Sequence, residues 1–305
     1  MSGRTGARAS LDALLPISEF PDGLNPVFVR DLRQGLRAPF FMWAFVLLHG
    51  FAIIATMAAW AAARVLGGSL VVSAAASGFV TNLIFGFLLP LSLFHSLQPE
   101  LGRGRNAELL LTSRLSRWQI VRGKLLAHTT LSGLLLVSLS PYFLIRYFLG
   151  SVGPAMLFIE VMALIVANAT MNAIVIGASA FSSYLVRFVV IFLLGSLHSA
   201  TAVAYTMKRG FTGSVLPGFL PDHFAGQLLV PVLYIVLSLQ LGRARLQPAR
   251  QVVDPVAKIL AVACLAPVAH AALVASATPL SAIVFLCLMV TGALLLDRDA
   301  PQKKS

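Results

Sequence analysis

Residues 40–66 read FFMWAFVLLHGFAIIATMAAWAAARVL, and this stretch decides the class of fold. It carries one charged side chain, Arg64. As an α-helix rising about 1.5 Å per residue, it is long enough to cross the roughly 30 Å of hydrocarbon in a bilayer. Similar runs recur along the chain, which is 58% apolar and 11% charged, against the roughly 25% charged residues of soluble domains. We therefore predict an all-α, polytopic membrane protein.

Eight apolar runs qualify as transmembrane helices. A flexible cytoplasmic tail, 1–24, precedes them, and a second tail, 297–305, follows them. The predicted spans are Phe40–Leu66, Leu70–Leu97, Trp118–Phe148, Pro154–Ser179, Tyr184–Met207, Phe224–Leu241, Val256–Ser276 and Pro279–Leu296.

The basic residues predict the orientation of these spans. With a cytoplasmic N-terminus, 19 of the 23 Lys and Arg residues fall on the inner side. The outer side receives Arg64, Arg146, Lys208 and Arg209. Such a bias follows the positive-inside rule and predicts that both termini are cytoplasmic. The net charge of +12 is spread over inner loops facing anionic lipid and forms no stripe of the kind that binds nucleic acid.

The segment before the first span, residues 25–39, is predicted to be an amphipathic helix. Asn25 is a good N-cap, Pro26 fits the first turn, and Pro39 ends the helix. A helical wheel puts Phe28, Val29, Leu32, Gly35 and Leu36 on one arc, with Val27 the one apolar residue out of place. On the other side lie Arg30, Arg33 and Arg37. Such a helix is suited to the inner interface, with its arginines among phosphates. An ordinary cytosolic helix is the alternative.

The largest inner loop, 98–117, contains an acid followed by three leucines, Glu108 to Leu111. Burying a leucine side chain is worth about 1.5 to 3 kcal/mol, so the triplet indicates a covered surface. Docking on another protein and packing against neighbouring spans are both consistent with it. Next, Ser116 and Gln119 have the spacing of a capping box that would start the third span.

Together, two stretches of this sequence resemble the permease subunits of ABC-2 type ATP-binding-cassette transporters. NPVFVRDLRQGLR, from Asn25, is similar to the N-P-(I/V)-x-x-R-E-L-R-x-x-L-R opening of that family. The segment from Glu100 to Lys124 is similar to its E-R-E-R-G-T-L-E-L-L-L-T-T-P-L-S-R-W-Q-I-V-x-G-K signature, most closely at ELLLT, at LSRWQIV and at Gly123-Lys124.

The resemblance implies a six-span permease core, here 40–241, preceded by a connecting helix, 25–39. A basic cytoplasmic linker, 242–255, and two further spans, 256–296, follow the core. It also implies a coupling helix in the loop 98–117 that fits a cleft on a separate ATPase subunit. On this basis the ATPase-coupling residues are Glu100, Arg103, Asn106, Glu108, Leu109, Leu110, Leu111 and Thr112.

Catalytic motifs for nucleotide hydrolysis, zinc proteolysis and acyl transfer are absent from the sequence. We expect no enzyme activity, metal site or bound cofactor, with ATP and Mg²⁺ on the partner ATPase. Glu160 is the one acid well inside an apolar run, where it would pair with Arg146 or line a transport pathway. Asn168 and Asn172 lie near its side of the helix, where hydrogen bonds between helices and substrate contacts are both consistent with them.

The resulting hypothesis is a permease subunit of an ABC-2 type exporter in the cell inner membrane. Its expected partners are an ABC ATPase subunit, a second permease subunit, identical or related, and membrane lipid. A non-transporting membrane scaffold or assembly factor with the permease fold is the alternative. A membrane-embedded enzyme using Glu160 and a histidine is a third possibility. Nothing in the spans selects a substrate.

Overall fold

The computed structural model describes residues 24–65, 84–98, 115–148, 154–196, 198 and 230–246. Within these ranges the chain is helical, with turns and bends but no strand, so the all-α prediction is confirmed for this part of the protein. The predictions for the tails, for residues 66–83, 99–114 and 199–229, and for the last two spans fall outside these residues.

Helix α1, Pro26–Arg37, has the bounds that its end residues predict. The side chain of Asn25 accepts a hydrogen bond from the backbone N–H of Val27 at 3.0 Å, which satisfies one of the free N–H groups at the helix start. Ala38 adopts an extended conformation, as a residue before proline prefers. Helix α2, Pro39–Val65, begins immediately after this corner.

The segment 84–98 brings Leu97 close to Val121, near the start of the helix Arg117–Ser138. It consists of a π-helix, Ile84–Leu88, one α-helical turn, Leu89–Leu91, and further turns that reach Gln98. The predicted second span, Leu70–Leu97, is described only over this final part.

Helix α3, Arg117–Ser138, begins with the predicted capping box, which is confirmed: Ser116 Oγ accepts from Gln119 N, and the Gln119 side chain accepts from Ser116 N. The prediction of one continuous helix to Phe148 is wrong. Helix α3 ends before Leu139, and a separate helix α4, Ser140–Phe148, follows. Pro141 has no N–H to donate to a preceding carbonyl, which explains a break at this place.

Helices α5, Pro154–Ala178, α6, Tyr184–Ser196, and α7, Val230–Arg245, complete the described bundle. Helices α5 and α7 approach most closely at Gly177, where an added Cβ would overlap the carbonyl oxygen of Ser238. Gly242 lies beside Gly177, so small residues of both helices form the contact. The main apolar core surrounds it, formed by α5, α6, α7 and the inner parts of α3 and the segment 84–98.

Three described helices are long and apolar enough to cross a membrane: Pro39–Ala58, Arg117–Ser138 and Val161–Ala178. Two shorter apolar helices, Tyr184–Ser196 and Val230–Ala244, accompany them. The protein is therefore a helical membrane protein by these criteria. The count of eight spans stays a prediction.

Candidate functional site

One end of the described bundle contains Asn25 and residues 115–124, the described part of the second stretch that carries the family resemblance. Here the last turn of α5, the start of α3 and the last turn of α7 come together around Leu97. Trp118 lies at the start of α3, with the guanidinium of Arg122 at 4.7 Å and that of Arg243 at 5.3 Å from its ring centre. Basic side chains surround this region, and we call it the basic end.

Helix α1 packs along the first half of α3, and we call this contact the α1–α3 interface. Its contacts follow the same order on both helices, so α1 and α3 run side by side in the same direction. The contacting pairs are Asn25 with Gln119, Val27 with Gly123, Asp31 with Lys124, and Gly35 with Leu131.

A buried ion pair lies at the centre of the α1–α3 interface. Lys124 Nζ donates to Asp31 Oδ2 at 3.2 Å, and the two side chains are only 6% and 8% exposed. Arg30 Nε donates to the other oxygen, Oδ1, at 2.8 Å from the half-exposed edge of α1. Both carboxylate oxygens are therefore bonded to cations, as a buried carboxylate requires.

Gly123 and Asn25 make the close approach of α1 and α3 possible. A Cβ at Gly123 would lie 2.9 Å from Val27 Cβ and 2.9 Å from Asn25 Nδ2, closer than real contacts allow. Asn25 has two functions, because its Oδ1 caps α1 while its Nδ2 donates to the Gln119 carbonyl. The cap that starts α1 therefore also fixes α1 to α3.

Helix α1 has three faces, and the two-faced prediction is corrected here. Val27 and Asp31 are buried against α3, so Val27 is not out of place. Arg30, Arg33 and Arg37 are exposed on a separate face, as predicted. The remaining apolar side chains, Phe28, Val29, Leu32 and Leu36, are only partly covered. A lipid interface for that third face stays a prediction.

The loop that contains the predicted coupling residues is anchored at both flanks. On one side, Gln98 Nε2 donates to the carbonyls of Ser179 at 2.6 Å and Phe181 at 3.1 Å, and Leu97 N donates to Ser179 Oγ at 3.1 Å. On the other side, the capping box of Ser116 fixes the start of α3. The described residue before the loop, Gln98, is therefore bonded to the end of α5, and the residues after the loop begin α3.

Arg187 strengthens the first of these anchors. It is 2% exposed, and its guanidinium donates to the carbonyls of Phe181 and Ser182. It also contacts His95 Nδ1 at 3.0 Å and lies over the ring of Tyr184 at 4.8 Å. The sequence suggested no role for Arg187 beyond an inner positive charge; the structure shows that it links the segment 84–98 to the turn between α5 and α6.

The predicted coupling residues lie outside the described residues. They are Glu100, Arg103, Asn106, Glu108, Leu109, Leu110, Leu111 and Thr112.

The predicted pathway residues lie on α5. Glu160 is helical, but its side chain is outside the described part. Asn168 and Asn172 are buried and hydrogen-bonded to each other, and Asn168 Nδ2 also donates to the carbonyl of Phe85 at 2.6 Å. A hydrogen bond between helices, one of the two interpretations of these asparagines, is therefore confirmed for Asn168.

Comparisons with protein-family models, with curated proteins and with solved structures find no match to this chain.

Substituting Asn25 by alanine is expected to lower the free energy of unfolding of α1 by about 1 to 2 kcal/mol. The change removes the cap on Val27 N and leaves the Gln119 carbonyl without its donor. Hydrogen exchange of the α1 amides in lipid nanodiscs measures the effect. Asn25→Ser is the matched variant, because its hydroxyl keeps a capping acceptor while the amide that reaches Gln119 is lost. Equal protection in Asn25→Ala and the unmodified protein would contradict the double role of Asn25.

Proposed function

We propose that this chain is the membrane permease subunit of an ABC-2 type ATP-binding-cassette transporter, working as an exporter in the cell inner membrane. A separate ATPase subunit hydrolyses ATP, and a second permease subunit completes the pathway. The chain itself carries no catalytic role. The substrate class is left open, because no described group selects one.

One observation carries this proposal. The stretch that begins at Asn25 and the stretch that ends at Lys124 carry the family resemblance separately, and the first lies against the described end of the second in the α1–α3 interface. The Asp31 carboxylate of the first motif bonds the Lys124 ammonium of the second. Motif positions 93 residues apart in sequence therefore form one ion pair. This pairing supports treating both matches as parts of one structural unit.

The anchored loop suggests how ATP hydrolysis would act on the membrane helices. A displacement of residues 99–114 by a docked ATPase would reach α5 through Gln98 and α3 through Ser116. From α3 it would reach α1 through the Asp31–Lys124 pair, and from α1 the adjoining α2. Hydrogen bonds and buried ion pairs are stiff connections of the kind that transmit rigid-body motion.

The charge distribution supports a cytoplasmic position for the basic end. Arg117, Arg122, Arg187 and Arg243 belong to it, together with the ion-paired Lys124. The positive-inside rule associates such an end with the cytoplasm, where ATP is present.

Docking of the ATPase is tested by truncating the leucines of the loop. We expect the double variant Leu109→Ala/Leu110→Ala to reduce recovery of the co-expressed ATPase at least about 10-fold, since two buried leucines contribute about 3 kcal/mol or more to docking. The ATPase to co-express is one with a G-x-x-x-x-G-K-[ST] loop, sought first among the products of neighbouring genes. Leu126→Ala is the matched control, because Leu126 is exposed on α3. Unchanged recovery with the double variant would refute docking through this loop.

A further inference from the structure

A cavity of about 400 Å³ lies between the α1–α2 corner, the segment 84–98, α3 and α5. Its volume is within the range of pockets that hold small organic ligands, about 300 to 1,000 Å³. Phe40, which lines it, is 52% exposed, so the cavity opens to the surface beside the corner at Pro39. Most of the wall is apolar: Phe40, Phe41, Leu89, Leu93, Leu131 and Leu135.

Polar side chains with unused hydrogen-bonding capacity also line this cavity. His128 and Ser132 are one helical turn apart on α3, and Asn172 belongs to the facing helix α5. Ser132 is 7% exposed and Asn172 is 1% exposed. Among the described residues, neither Ser132 Oγ nor the ring of His128 has a hydrogen-bond partner. His128 is half-buried, and it lines the same cavity as Ser132 and Asn172, so the three side chains can hydrogen-bond to one ligand there.

The hydrogen-bond chain on α5 fixes which atom of Asn172 remains available. The Phe85 carbonyl only accepts, so the amide nitrogen of Asn168 must face it. Asn168 Oδ1 is then left to accept from Asn172 Nδ2, at 2.8 Å. Asn172 Oδ1 accepts no hydrogen bond from the described part of the chain. The cavity therefore offers an acceptor on α5 opposite a hydroxyl and an imidazole on α3.

Among the described residues that line the cavity there is no Asp, Glu, Lys or Arg. The nearby charges of Asp31 and Lys124 are bonded to each other. A charged ligand group would lose its hydration here without gaining a counter-ion, which is strongly unfavourable. A neutral group that both donates and accepts hydrogen bonds, such as a hydroxyl or an amide, matches His128, Ser132 and Asn172, while the fourth polar side chain of the lining, Ser92, donates to the Leu89 carbonyl.

We infer that this cavity is a binding site for an uncharged amphiphile. Its hydroxyl- or amide-bearing head lies at His128, Ser132 and Asn172, and its apolar body extends past Leu131 and Leu135 toward Phe40. The site lies within one subunit and does not depend on the proposed transport function. The ligand comes either from the membrane, as a neutral lipid, or from solution, as a molecule taken up by the protein.

A charge series of photoreactive probes tests the chemistry of the site. A monoacylglycerol with a diazirine in its acyl chain is compared with a fatty acid and an alkyltrimethylammonium of the same length, using the full chain in nanodiscs. We expect the neutral probe to label residues of the cavity wall saturably, and both charged probes to bind at least about 10-fold more weakly. Equal affinity for a charged probe, or labelling elsewhere only, overturns the inference.

Variants of Ser132 locate the binding independently of the charge series. Ser132→Leu fills the cavity and is expected to reduce labelling at least about 10-fold, whereas Ser132→Ala removes only the hydroxyl and reduces it about 5-fold. Thr130→Val, on the exposed side of α3, keeps full labelling. Undiminished labelling in both Ser132 variants contradicts the site. If Ser132→Leu fails to fold, Ser132→Ala and the charge series still show whether the neutral probe binds in this cavity.

The source of the ligand is identified by analysing which lipids co-purify with the protein from its native membrane. A neutral lipid that co-purifies and is displaced by the monoacylglycerol probe identifies the membrane as the source. A site that is empty on purification and fills when the probe is added identifies uptake from solution. Both results support binding of a neutral amphiphile, while a displaced charged lipid overturns it.

Discussion

Replacing Asp31 by leucine is expected to release α1 from α3 and to raise the rate of tryptic cleavage within α1 about 100-fold, because the buried pair contributes about 3 kcal/mol once one partner is removed. The change deprives Lys124 of the carboxylate that it bonds at 3.2 Å. Trypsin cleaves at the exposed Arg33 and Arg37 only when α1 opens. The cleavage rate therefore reports the open population.

The reciprocal variant is expected to have a smaller effect. In Lys124→Met the carboxylate of Asp31 keeps its bond from Arg30 Nε at 2.8 Å, and Arg30 is partly exposed to solvent. We expect cleavage to rise only about 10-fold. The double variant Asp31→Leu/Lys124→Met should cleave more slowly than Asp31→Leu alone, because an apolar pair replaces both charges.

A control on the same helix separates the ion pair from general perturbation of α1. Gln34 is exposed, so Gln34→Ala is expected to change the stability of α1 by less than about 0.5 kcal/mol. Additive effects of the Asp31 and Lys124 substitutions would show that the two side chains do not interact, contrary to the structure.

The second large effect is expected at the contact of α5 with α7. Substituting Gly177 by leucine should lower the free energy of unfolding by about 3 kcal/mol or more, since its Cβ alone would overlap the carbonyl oxygen of Ser238 and force two backbones apart. Gly177→Ala should cost about 1 to 3 kcal/mol. Thermal unfolding in detergent micelles measures both.

Gly133 provides the matched comparison for this substitution. It is also a helical glycine, but an added Cβ would have no atom within 4 Å. Gly133→Ala is therefore expected to be neutral or to stabilise the protein by up to about 1 kcal/mol, from helix propensity. A stable Gly177→Leu protein would mean that α5 and α7 are not packed as described.

Local chemistry explains which features were predictable from the sequence. Asn25, Pro26 and Pro39 define the bounds of α1, and Ser116 with Gln119 starts α3, because caps and proline effects depend on neighbouring residues only. Pro141 was available as a signal for the break between α3 and α4, but the continuous apolar run suggested one helix.

Features that depend on distant residues were not predictable in the same way. A helical wheel sorts α1 into an apolar and a basic face, but Asp31 belongs to a third face whose partner, Lys124, is 93 residues away. The i, i+4 spacing of Val27 and Asp31 was the only local indication.

The most direct test of the central claim is the rate of ATP hydrolysis by the neighbouring ATPase in proteoliposomes, with and without this chain. If the chain is a coupled permease, the rate changes several-fold when the chain is present and returns to that of the ATPase alone with Leu109→Ala/Leu110→Ala. An identical rate in the presence and absence of the unmodified chain would contradict a transporter and favour the non-transporting scaffold.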